Sequence, residues 1–253
     1  MKKTIVAVFA ALFLTAGAAS AAVEAPKPPK QDWSFDGIFG TYDRSAAQRG
    51  FHVYKNVCAT CHSLNYLYYR HISGIGFTDP QIKALASTVE VTDGPNDDGE
   101  MFTRKGLPKD RFLAPFPNEK AARAANGGAY PPDLSVIVKA RHGGADYLYA
   151  LLTGYAEPPK DIKMMEGMNY NKYYPGHQIA MVPPLSDGAV EYADGTKATV
   201  AQMAKDVTTF LAWAASPEME NRKRLGIKVL LFLLVLTGML FALKRQVWSK
   251  IHK

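Results

Sequence analysis

Cysteine is nearly absent from the 253 residues: there are two, and they stand three positions apart. A structural zinc site wants four ligands, and no further cysteine exists to complete one. Acid is missing altogether from residues 222–253, which hold eight Lys and Arg, whereas residues 22–221 hold 20 Lys and Arg against 23 Asp and Glu. The formal charge of +7 therefore belongs to the tail and to Lys2 and Lys3, and the slightly acidic body removes the nucleic-acid-binding reading that a basic chain invites. No internal repeat is present. With 47% hydrophobic residues the chain is neither disordered nor fibrous, and it is long enough for one large or two small domains.

Two long apolar runs break an otherwise mixed sequence. The first, residues 5–14, follows Met1-Lys2-Lys3 and leads to Ala19-Ser20-Ala21, the small-x-small pattern of a secretory signal peptide. Being too short to span a bilayer, residues 1–21 are expected to be removed after Ala21, with Ala22 as the neighbouring alternative. The second run, residues 225–243, is 19 residues long. As a helix it measures about 28 Å, the thickness of the hydrocarbon layer, and Lys228 near its end can snorkel. Cations flank both ends, so charge orients it weakly. An exported body followed by a stop-transfer helix leaves the C-terminus in the cytoplasm, with Trp248 at that interface.

Between these runs the organisation is read from turn and cap chemistry. Residues 22–32 form a proline-rich extended leader, and the ordered domain is expected over 33–221. The pattern predicts a helix over 45–57, capped by Asp43 or Ser45, that delivers the chain into Cys58. Residues 90–110 read as an acidic, glycine-bearing loop, and residues 160–196 as mostly loop. Helices are expected over 134–141 and 145–153, separated by Gly143-Gly144. Thr199-Val-Ala-Gln202 is a capping box that opens a helix to about Ala215, with Val200, Met203, Val207, Phe210, Leu211 and Ala214 on one stripe, stopped by Pro217. A short polar connector, a membrane anchor over 222–244 and a basic tail over 245–253 complete the order. The fold class is mainly α, with long loops and one C-terminal transmembrane helix.

The haem expectation comes from Cys58-Ala59-Thr60-Cys61-His62. In this spacing two thiols can add to the two haem vinyl groups while the adjacent imidazole reaches the iron. A thioredoxin-type dithiol needs no following His and usually ends a strand, whereas Cys58 follows a predicted helix. One covalent haem c is the reading, which makes the long-looped, mainly α body a cytochrome c-like haem domain, and export agrees with it.

The sixth iron ligand separates an electron carrier from an enzyme that binds a small ligand. Met203 falls on an apolar helical stripe, Met239 lies in the membrane run, Met101 in the acidic loop, and Met164, Met165 and Met168 in an irregular polar stretch. Met181 stands out because it precedes the rigid Val182-Pro183-Pro184 shortly before the capped helix. His52, His71 and His142 read as ordinary histidines, and His177 is the best substitute for Met181. Arg141, after Pro131-Pro132-Asp133, can hold a haem propionate by a charge-assisted pair or simply be a surface arginine.

The chain resembles cytochrome c1, bacterial type, the haem subunit of ubiquinol:cytochrome c oxidoreductase. The resemblance covers nearly the whole mature chain. It rests on Arg49-Gly-Phe-His-Val-Tyr-Lys-Asn-Val-Cys58 running through His62, on Ala125-Asn-Gly-Gly-Ala-Tyr-Pro-Pro-Asp-Leu-Ser135 running to Arg141-His-Gly-Gly, and on Leu151-Leu-Thr-Gly-Tyr155. It continues through Ile179-Ala-Met181-Val-Pro-Pro184, Ala204 to Pro217, and Arg222-Lys-Arg-Leu-Gly226. It implies that His62 and Met181 are the axial pair, that Asn126, Pro132, Arg141 and Tyr147 surround the haem, and that Arg141 takes the propionate role. It implies an electron-transfer subunit, not catalytic alone, within a quinol-oxidising respiratory or photosynthetic complex. Such a subunit takes one electron from a Rieske iron-sulfur protein and passes it to cytochrome c, beside cytochrome b and membrane lipid. The haem domain is then expected in the periplasm, on a single-pass anchor in the bacterial cytoplasmic membrane. Some bacterial relatives carry a second cysteine pair that forms a disulfide on the methionine side of the haem; here packing and prolines must hold that side. A free-standing membrane-tethered cytochrome c and a haem enzyme with an open iron site are the competing readings.

Overall fold

The computed structural model describes residues 26–249. The expected signal peptide with its expected cleavage at Ala21, the first residues of the leader and residues 250–253 of the tail lie outside the described residues. Within them the chain is mainly helical, with few strands and one long apolar C-terminal helix.

The leader is extended, but it is tied down before Trp33: the Gln31 amide and the Trp33 indole N–H both donate to Asp146, at 3.0 and 2.7 Å. Helix α1, Arg44–Asn56, is capped by the Asp43 carboxylate, which accepts from the Ala46 amide. It buries Ala47, Phe51, Val53 and Tyr54. A 3-10 turn, Cys58–Thr60, follows at once, and a second one, Tyr69–Ile75, leads to α2, Asp79–Ala86.

The expected loop over 90–110 is a correction. Strand β1, Glu90–Asp93, pairs antiparallel with β2, Phe102–Lys105, and the glycine-rich acidic stretch is the tip of that hairpin. Its ionic latch is Arg104, which donates to Asp93 and, at 2.7 and 2.9 Å, to both oxygens of Asp110.

Helix α3, Glu119–Ala125, is capped by Asn118. Helix α4 spans only Ile137–Ala140, shorter than the expected 134–141. The reason is visible in the hydrogen bonds, since the Leu134 amide donates to Ser63 O and the Ser135 hydroxyl accepts from the Tyr66 amide. Those groups serve a long-range junction instead of a helical turn. Helix α5, Gly144–Thr153, follows. Residues 160–196 are mostly irregular, as expected, around a two-residue pairing of β3, Asn169–Tyr170, with β4, Gln178–Ile179.

Helix α6, Val200–Ala215, begins where the capping box placed it, with the Thr199 hydroxyl accepting from the Gln202 amide at 3.2 Å. The reciprocal half is missing because the Gln202 side chain donates to Asp206 instead. Burial extends beyond the predicted stripe to Ala204, Asp206, Thr208, Ala212 and Trp213, so α6 is the central helix. It packs most extensively on α1. Gly50 makes that crossing possible: a Cβ there would stand 2.0 Å from the Asp206 carbonyl oxygen. The neighbouring Arg49 guanidinium grips the buried Asp206 carboxylate with two bonds of 2.9 and 3.0 Å. Rings of Phe51, Tyr54 and Trp213 surround Phe210 at centroid distances of 5.5 to 5.9 Å.

The polar connector expected before the membrane run is itself helical. After Ser216 and Pro217 the chain re-enters helix, and α7 runs unbroken over Met219–Trp248. At 1.5 Å per residue its 30 residues measure about 45 Å, long enough to cross a bilayer and stand clear of it.

Candidate functional site

Helix α1 stops at the first cysteine because the chain tightens. The Cys58 carbonyl accepts from both Cys61 N, at 3.1 Å, and His62 N, at 2.8 Å, and the Thr60 hydroxyl ties back to Val57 O at 2.7 Å. This compact turn gathers Cys58, Cys61 and His62. Both thiols are free and half-buried. Burial pushes the Cys58 thiol up to about 12, with the nearby Cys61 adding to it. A dithiol built for exchange is tuned the other way, towards thiolate, so this environment disfavours that chemistry.

His62 is held at two points that local sequence does not reveal. Its Nδ1 lies 2.8 Å from the Pro132 carbonyl, which can only accept, so the proton is assigned to Nδ1 and Nε2 keeps its lone pair. Burial lowers the imidazole pKa, while the Pro132 bond and Asp133 oppose the shift. The ring is therefore a neutral base with one nitrogen oriented by the protein and the other available, the state a metal ligand requires. The Tyr54 hydroxyl donates to the His62 carbonyl at 3.0 Å.

Pro132 is kept in place by its neighbour. Asp133 accepts from Ser63 Oγ at 2.7 Å, from Asn65 N at 2.8 Å and from Ser135 N at 2.8 Å. Burial works against its ionised form, but these donors outweigh it and hold the carboxyl below its usual range. Tyr54 and Asp133 are the functional residues that sequence reasoning missed. The signal for Asp133 was faint: it lies within the Pro-Pro-Asp segment, but its partners are about 70 positions away.

The methionine side is built separately. Met181 is half-buried, and the Tyr155 hydroxyl donates to its carbonyl at 3.1 Å. The loop below is pinned by the fully buried Asn171, which donates to Leu151 O and accepts from the Tyr173 amide. Tyr147 is buried on α5, where burial pushes its phenol up and the Arg141 charge pulls it back. Burial likewise pushes the Tyr155 phenol up, with Tyr147 adding to it. Arg141 is exposed, donates only to the adjacent Ala140 carbonyl and makes no ion pair among the described residues. Asn126 donates to Ala122 O at the end of α3. The alternatives Met164 and Met168 line a cavity of about 420 Å³ with Tyr155, Tyr170 and Pro183, and none of Cys58, Cys61 and His62 borders it.

Two free thiols in a 3-10 turn, a neutral imidazole with Nδ1 engaged, a thioether on a pinned loop and an arginine without an acid partner fit a covalent haem. The structure brings Cys58, Cys61, His62 and Pro132 together directly, and ties Met181 to Tyr155.

A family model described as the Cytochrome C1 family matches residues 33–251. A mitochondrial cytochrome c1 haem protein of Arabidopsis thaliana is 52% identical over 238 residues, covering 94% of this chain and 77% of the relative. Cytochrome c1 of Rhodospirillum rubrum is 51% identical over 238 residues, with 88% of each chain covered. A Bradyrhizobium diazoefficiens protein named cytochrome b/c1 is 50% identical over 248 residues, 89% of this chain but 36% of that protein.

Proposed function

Since the chain belongs to the cytochrome c1 family, the haem subunit of the cytochrome bc1 complex, we propose that it carries one haem c on Cys58 and Cys61 with His62 and Met181 as axial ligands. In this reading it passes single electrons from a Rieske iron-sulfur protein to cytochrome c. The bound haem supplies a one-electron couple, and thioether ligation raises its potential. The chain's own residues do the rest. Pro132 O and Tyr54 fix the imidazole and the backbone behind it, Tyr155 fixes the Met181 backbone, and Arg141 is available to a propionate. Pro132, Tyr147 and Asn126 complete the surroundings.

The observation that carries this reading is the Nδ1 bond to Pro132 O at 2.8 Å, because it leaves a neutral, oriented Nε2 next to two free thiols. Helix α7 anchors the subunit in the membrane. The haem domain then faces the periplasm and the C-terminus the cytoplasm. Cytochrome b is the neighbouring subunit, a choice supported by the Bradyrhizobium relative whose name joins the two cytochromes.

Purified full chain should keep its haem through denaturation and acid-acetone extraction and show a low-spin spectrum unaffected by added carbon monoxide. Extractable haem, or an iron that takes up carbon monoxide readily, would shift the assignment to a haem enzyme with an open site. Isolation without cytochrome b and the Rieske protein would favour the free-standing tethered cytochrome.

A further inference from the structure

The most exposed large apolar side chain among the described residues is not on the membrane helix. Phe39 is 84% exposed and its neighbour Ile38 68%, against 71% for Leu234, the most exposed apolar residue of α7. Both sit at the tip of a loop whose other aromatic residues point inward. Trp33 is buried, Phe35 stacks on it at 5.4 Å, and Phe35 also meets the buried Tyr42 at 5.3 Å. The loop is closed by the Asp36 amide donating to Trp33 O and the Thr41 amide donating to Ser34 O, both at 3.0 Å. Gly40 permits the closure, since a Cβ there would stand 2.0 Å from Asp36 O. A chain folded this tightly holds its tip outward by construction.

The loop is also bolted to the root of α7. Lys223 Nζ donates to Phe35 O at 2.8 Å and to Gly40 O at 3.0 Å, bracketing the exposed pair. Glu220 accepts two bonds of 2.9 Å from Arg44 and one of 2.9 Å from the Tyr42 amide. Lys223 precedes Leu225, the start of the apolar run, by two residues, about 3 Å along the helix axis. The base of the loop is thus fixed to the first turns of α7, just before the apolar run begins. Arg222 and Arg224, on either side of Lys223, are exposed and make no ion pair among the described residues.

We infer that the 36–40 loop is a second, interfacial membrane contact, in which Ile38 and Phe39 insert into the lipid surface beside the transmembrane helix while Arg222 and Arg224 sit at the level of the lipid phosphates. An apolar pair held at the water boundary gains by entering the upper acyl region, and cations at the same level attract anionic headgroups. A single helix leaves a domain free to tilt and rotate about its exit point. A second contact some distance from the helix axis removes that freedom and sets the attitude of the haem domain over the bilayer. The inference rests on α7 spanning the membrane.

The test uses the full, haem-loaded chain, in which Cys58 and Cys61 are occupied, with one new thiol carrying an environment-sensitive fluorophore: Phe39→Cys, Ile38→Cys, Leu234→Cys or Asp97→Cys. Each is read in vesicles of mixed phosphatidylcholine and phosphatidylglycerol, alone and in the isolated complex, against lipid-borne nitroxide and aqueous iodide. Leu234→Cys reports on the anchor, and its failure to be quenched from the lipid would fault the anchor reading itself. With that control satisfied, Phe39→Cys and Ile38→Cys should be quenched several-fold more by lipid nitroxide than Asp97→Cys on the hairpin tip, and protected from iodide. Iodide quenching equal to that of Asp97→Cys overturns the inference. So does protection from both quenchers in the complex, which would show a neighbouring subunit over the loop.

Discussion

Asp133 shows how one carboxylate can govern a site it does not enter. Its oxygens collect the Ser63 hydroxyl and the Asn65 and Ser135 amides, and the adjacent Pro132 carbonyl orients His62. Asp133→Ala leaves three donors without their acceptor in a partly buried junction, a loss of roughly 1–3 kcal/mol. Chemical denaturation should show that loss, with the haem still covalently attached because the cysteines are untouched. Asp133→Asn, which keeps oxygen acceptors, should recover part of it. The two cysteines and His62 were legible in the sequence because their chemistry depends on a spacing of a few residues. Asp133 and Tyr54 were not, because what they do depends on partners brought together only by folding.

Elements were legible to the degree that their ends are local. Asp43, Thr199 and Pro217 mark boundaries through their own side chains or ring, and helices α1 and α6 begin or end there. The 90–110 hairpin was misread as a loop because its strands are four residues long and its tip is made of turn-forming Gly, Asp and Asn. What stabilises it is a side-chain contact that turn and strand propensities do not report, the Arg104 link to Asp93 and Asp110. That link draws Asp110 down to about 2, with the Leu107 amide assisting. A depressed carboxyl pKa contributes stability above the unfolded value, and the contribution is lost as pH falls through the folded one. A carboxyl NMR titration should find Asp110 near 2, and Arg104→Gln should return it towards 3.8. Equal midpoints in the two proteins would remove the latch.

The α1 and α6 crossing is the other element-scale feature, and it depends on the missing side chain at Gly50. Gly50→Ala places a carbon 2.0 Å from the Asp206 carbonyl oxygen, a contact that only a shift of one helix relieves. Overpacking of this kind costs about 1–3 kcal/mol or more. Thermal unfolding should drop accordingly, although alanine favours helix more than glycine does. An unchanged melting temperature would mean that the helices are farther apart than described.

For the whole molecule, the break between soluble domain and anchor was placed after Asn221 from charge and hydropathy alone. The fold joins them more closely. Met219 is buried in the core, and Lys223 binds Phe35 O and Gly40 O. A chain ended after Arg224 should therefore be a soluble, haem-loaded protein more stable than one ended after Asn221, by about 1–3 kcal/mol for two charge-assisted bonds. Denaturation midpoints compare the two directly. On the proposed role neither product should sustain quinol oxidation, because release from the membrane dilutes the domain away from its partners.

The axial pair His62 and Met181 is the centre of the proposed electron-transfer role, and a redox titration of Met181→Leu in the full chain tests it most directly. Leucine cannot ligate iron, while Cys58, Cys61 and His62 still hold the haem. The midpoint potential should fall sharply and the sulfur-to-iron charge-transfer band should vanish, with haem content unchanged. An unaltered midpoint with that band intact would contradict the assignment and return the choice to Met164, Met165, Met168 or His177.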